Sequence, residues 1–77
     1  GKGLFAKAEV NSFIQSNSVA LENDIVRGQG ETLSTLNQML GCGAEFGNTL
    51  QNNYKQIYAP GVEASEKISA LAQSCQG

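Results

Sequence analysis

The segment CGAEFGNTLQNNYKQIYAPGVEASEKISALAQSC, residues 42 to 75, holds both cysteines of the chain, one at each end. Between them lie two helix-like patterns. Phe46, Leu50, Tyr54, Ile57 and Tyr58 recur at steps of four, four, three and one, the spacing of one helix face over residues 44–58. Val62, Ser65, Ile68, Leu71, Ala72 and Cys75 form a second such face over 62–75. Tyr58-Ala59-Pro60-Gly61 separates the two. Pro60 disfavours helix at Ala59, and Gly61 permits a sharp turn. So short a link makes neighbouring helices antiparallel. Folding back about residues 59 to 60 returns residue 75 to the side of residues 42 to 44. The segment therefore reads as a helical hairpin closed at its open end by a Cys42–Cys75 disulfide. The competing reading is two free cysteines buried as small apolar groups. A metal site is disfavoured, because the chain has no histidine and two thiols fill only half a zinc shell.

Seventy-seven residues predict one domain, 1–77, with residues 1–4 frayed or left over from cloning or cleavage. A core this small is marginal without a staple. Closing the loop between the cysteines should contribute roughly 3–4 kcal/mol in the chain-entropy picture. Persisting disulfides belong to the periplasm, the cell surface or the medium, and that is the expected location. No signal peptide heads the sequence, so the expectation is a mature chain or a trimmed fragment. No apolar run approaches the length that spans a bilayer.

Five basic and seven acidic residues leave a formal charge of −2. Lys2, Lys7, Arg27, Lys55 and Lys67 are scattered, whereas a surface that tracks phosphates needs them clustered; nucleic acid is not an expected partner. The same scarcity disfavours a helix that lies on an anionic membrane. Seven Asn and seven Gln outnumber all charged groups. An amide-rich, weakly charged surface repels copies of itself less than a charged one. It reads either as plain solvation or as a surface made to touch proteins.

Upstream of the hairpin the glycines and small polar residues act as punctuation. Ala6, Val10, Phe13 and Ile14 predict a first helix over about 5 to 15, with Phe5 placed to staple that end to the core. Ser16-Asn17-Ser18 breaks it, and Asn17 or Ser18 is suited to cap a second helix over 18 to 27. Glu22 and Arg27 match the two ends of that helix's dipole. Gly28 is placed to end it in the left-handed conformation. Leu33, Leu36, Asn37 and Leu40 then share a face of a third helix that Gly41 terminates. Gly47, inside the hairpin's first helix, costs about 1 kcal/mol against Ala, a cost that close approach of another helix at that point would explain. Nothing alternates with a period of two, so no sheet is expected. The predicted core is Val10, Phe13, Ile14, Leu21, Ile25, Leu33, Leu36, Leu40, Phe46, Leu50, Tyr54, Ile57, Ile68 and Leu71.

Few arrangements of reactive groups survive inspection. Without histidine there is no imidazole acid–base chemistry. Cys42 has no basic neighbour in sequence, and pairing with Cys75 would remove its thiolate. Gly28-Gln29-Gly30 looks like a phosphate loop but sits between helices, with Glu31 set against an anion. Glu22 with Asp24, and Glu63 with Glu66, fall on helix faces expected to be solvated, not in the unequal environments that acid–base pairs need. Tyr54 and Tyr58 share a face; their hydroxyls either cap the core edge in water or form a binding ridge.

The run Asp24-Ile25-Val26-Arg27-Gly28-Gln29-Gly30-Glu31-Thr32-Leu33 resembles the C-terminal part of a family of exported bacterial proteins of unknown function. In that family a helix ends in a Gly-Gln-Gly-Glu element and a leucine-rich helix follows. The similarity extends through Leu36, Met39, Gly41-Cys42, Phe46, Leu50, Asn53 and Ile57, and back to Phe13-Ile14 and Asn17, covering most of residues 10 to 58. It implies a bacterial source and export to the cell envelope, and supplies no catalytic residues. Family members look longer at the N-terminus, which implies processing of a precursor.

Taken together, these features predict an all-α bundle of four or five short helices with one disulfide, Cys42–Cys75. The leading functional expectation is a non-enzymatic, cofactor-free envelope module that binds a protein partner or copies of itself. Arg27, Gln29, Glu31, Tyr54 and Tyr58 are its candidate interaction surface. The alternative is a carrier of a small apolar ligand or lipid inside the bundle.

Overall fold

The helical periodicity becomes six helices in the computed structural model, which describes residues 5–75. They are α1 (Lys7–Ser16), α2 (Ser18–Arg27), α3 (Glu31–Leu40), α4 (Phe46–Asn52), α5 (Tyr54–Ile57) and α6 (Ala64–Ala72), followed by a 3-10 turn at Gln73–Cys75. No strand occurs among the described residues. The start expected to fray, residues 1–4, lies outside them. α2 packs on α3 and α4, while α6 packs on α1, α4 and α5. The chain ends in the expected hairpin, and Cys42 and Cys75 form its disulfide with Cα atoms 5.4 Å apart, inside the range such bonds need.

Helix ends follow the local chemistry closely. Gly28 and Gly41 both take the left-handed conformation, at φ of 76° and 73°. At each, the following N–H returns to the carbonyl five residues back: Gln29 to Asp24 and Cys42 to Asn37, at 3.1 and 2.9 Å. This is the Schellman closure of a helix. At the end of α3 it also sets the place of Cys42, so a helix cap positions one half of the disulfide.

Leu21, Ile25, Leu36, Leu50, Ile57 and Ile68 are fully buried, with Val10, Ile14, Leu33, Leu40 and Phe46 nearly so. Met39 and Ala72 join this core, while Phe13, Tyr54 and Leu71 pack against it only partly buried. Several local expectations are corrected. The helix expected over 44–58 is broken at Asn53, which explains a count above four or five. There the side-chain Nδ2 donates to the Thr49 carbonyl at 2.7 Å, a local bond that competes with the continuing helix. Asn17 does not cap α2 through its side chain; its Nδ2 donates backward to Phe13 O at 2.9 Å and closes α1 instead. Phe5 does not staple the start, being 46 % exposed, and Glu9 holds that end by accepting from the Ala6 N–H at 3.0 Å. Val62 precedes α6 and is exposed.

Gly47 does mark a close approach. A Cβ there would lie 2.9 Å from the Gly28 carbonyl oxygen and 3.3 Å from Leu33 Cδ2. Backbone cannot yield as a side-chain tip can. Gly47→Ala should therefore destabilise by about 1–2 kcal/mol despite alanine's better helix propensity, as read by urea denaturation. An unchanged or higher midpoint would show that α2 and α4 are not in register as described.

Candidate functional site

The Asp24–Leu33 run proves to be an architectural corner. Asp24 was expected on a solvated face, yet it is buried, 7 % exposed. Its Oδ2 accepts the Leu33 N–H at 3.2 Å, and its Oδ1 accepts from Arg27 Nη2 at 2.9 Å. A carboxylate from the last turns of α2 thus caps the start of α3, where the helix dipole favours negative charge. Gly30, at φ 148°, makes room for it: a Cβ there would overlap the Asp24 carboxylate. From α4, Gln51 Nε2 donates to the Val26 carbonyl at 3.0 Å and covers the end of α2.

A groove runs beside this corner. It is lined by Leu33, Ser34, Asn37 and Gln38 of α3, by Gly28-Gln29-Gly30 before that helix, and by Cys42, Ala44 and Gly47 after it. The volume is about 380 Å³. None of these lining residues carries a charge. Asn37 is 7 % exposed, and its Oδ1 has no hydrogen-bond partner among the described residues. An orphaned buried acceptor costs about 1–3 kcal/mol, so its presence asks for an explanation.

The predicted surface residues fall into two neighbourhoods. Gln29 lines the groove, while Arg27 and Glu31 are exposed on either side of the corner, Arg27 already paired with Asp24. Tyr54 and Tyr58 stand elsewhere, their rings 5.4 Å apart and tilted by 43°. The Tyr54 hydroxyl is not simply in water; it donates to Glu22 Oε2 at 2.7 Å across to α2. That bond, with some burial and the Glu22 charge, raises the Tyr54 pKa. Burial pushes Tyr58 up to about 12, helped by the charge of Glu22 and by Tyr54. Ser34, Asn37 and Gln38 were not singled out as site residues from the sequence. The available signal was Asn37, an amide in an otherwise apolar stripe.

The tyrosines give a pH dependence of defined sign. Below pH 10 folded and unfolded chains both keep the Tyr58 proton. Above it the unfolded chain ionises first, so stability should fall between about pH 10 and 12. Thermal melts across that range, with phenolate absorbance recorded in parallel, should show a steeper loss than in Tyr58→Phe. Equal losses in both chains would mean that this hydroxyl is freely solvated.

Residues 1–76 match the model of a protein family described as "Protein of unknown function (DUF3015)". The match runs well past residues 10–58 and takes in the tail that carries Cys75. No curated protein and no solved structure matches the chain.

Proposed function

The chain belongs to the DUF3015 family, and we propose that this member is a non-catalytic contact module of an oxidising bacterial compartment, holding a partner protein along α3. The observation that carries the reading is the groove itself: a neutral lining with hydrogen-bonding side chains at Gln29, Ser34, Asn37 and Gln38. The disulfide supports export to the periplasm, cell surface or medium, since such bonds persist where thiols are not kept reduced. No helix among the described residues is long and apolar enough to cross a membrane. The apolar-ligand reading has no observation of its own, because Leu21, Ile25, Leu36, Leu50, Ile57 and Ile68 fill the bundle centre.

A photo-crosslinking residue in place of Gln38, introduced in the cells that make the protein, should give one discrete adduct. The same residue in place of exposed Glu66 on α6 should not. An adduct with a second copy of the chain would identify the self-assembling version, which light scattering would show as a concentration-dependent mass. Equal adducts at both positions, or none at Gln38, would count against a dedicated contact face.

A further inference from the structure

We infer that the groove along α3 takes an extended, uncharged peptide segment of another protein, with the Asn37 carboxamide hydrogen-bonding its backbone. The inference rests on the contact-module reading and deepens it. Three observations select this class of occupant. Asn37 lines the groove, is 7 % exposed, and leaves Oδ1 without a partner among the described residues. The last torsion of asparagine is broad, so a modest rotation offers that oxygen to an incoming donor. A carboxamide carries an acceptor and donors in one plane, the pattern of a peptide group, and can pair with backbone N–H and C=O together.

The second observation is the neutrality of the lining. A charged ligand would lose its hydration there and meet no counter-charge. A purely apolar chain would be no better, because Asn37, Gln38 and Ser34 would stay unpaired beneath it. The lining also holds no aromatic ring on which the apolar face of a sugar could rest. The third is shape. The α3 residues in the groove's lining run from Leu33 to Gln38, about 7.5 Å along the helix, with Gly30 before them and Cys42 after. The α3 part alone takes two or three residues of extended chain at about 3.3 Å each.

The test begins with random heptapeptides displayed on phage, selected against the oxidised protein. Peptides recovered should lack Lys, Arg, Asp and Glu. A synthetic copy with blocked ends should shift the amide resonances of Gly28, Gly30, Ser34 and Gln38 and the side-chain amide of Asn37. Asn37→Leu should weaken its binding at least tenfold, while thermal stability stays level or rises, because the orphaned acceptor is gone. Glucose and octanoate at millimolar concentration should leave the same resonances in place.

A fall of several degrees in the melting temperature of Asn37→Leu would mean that the carboxamide has a structural partner, such as a bound water, and would overturn the proposal. So would recovered peptides that are charged or that shift another face, a failure to recover any, or equal shifts from glucose or octanoate. A partner crosslinked at Gln38 with no peptide binding would refute the peptide and leave the contact face standing.

Discussion

Replacing Cys42 and Cys75 together by alanine is expected to lower the unfolding free energy by roughly 3–4 kcal/mol. The bond closes a sequence separation of 33 residues, and most of its effect lies in the unfolded chain, which it keeps from exploring open conformations. In the folded chain little should move. Cys42 is held by the cap at the end of α3, and α6 keeps Ile68 and Ala72 fully buried. The variant should therefore retain its helical circular dichroism at low temperature. Its melting temperature should drop by about 12–32 °C, given about 4–8 °C per kcal/mol for a domain this size. Reductant should bring the unsubstituted chain to the same curve. Mass measurement after alkylation without reductant should find no free thiol in the native protein. A shift below about 1 kcal/mol would mean that the clasp constrains little, while two alkylated thiols in the native protein would remove the main support for an oxidising location.

Gly30→Ala is the second large effect, at about 2–6 kcal/mol. Two costs combine. Alanine is strained at φ 148°, a conformation that costs about 1–3 kcal/mol for a residue with a Cβ. The added methyl also drives the Asp24 carboxylate off the Leu33 N–H, leaving a buried charge and an uncapped helix start, about 1–3 kcal/mol more. The two can be separated by a double-mutant cycle. In an Asp24→Ala background the overlap is gone, so Gly30→Ala should cost only its backbone strain. Strict additivity of the two substitutions in denaturant titrations would show that the carboxylate does not sit against Gly30.

At this corner the recognisable sequence element has a structural use. Asp24 caps the start of α3 at Leu33, Arg27 pairs with Asp24, Gly28 turns the chain and Gly30 leaves room for the carboxylate. The groove beside it draws on the intervening Gln29 and on the α3 residues beyond.

Much of the architecture was legible from residues alone because its causes are local. Apolar spacing within one helix, a glycine at its end and a proline after it act over four to six residues, and these placed α2, α3, the final turn and the Cys42–Cys75 pairing. Gly47 was legible as a point of close approach through its cost to an isolated helix. Other features depend on which faces meet across 9 to 32 residues of chain. Asp24 reads as a surface carboxylate until α3 presents its free N–H. The Tyr54 hydroxyl reads as solvated until Glu22 comes across from α2. The groove exists only because α3 leaves one flank uncovered between the corner and α4, and the orphaned oxygen of Asn37 is defined by the atoms that fail to reach it. Spacing along a chain determines which residues share a helix face; only packing decides which of those faces is covered, and by what.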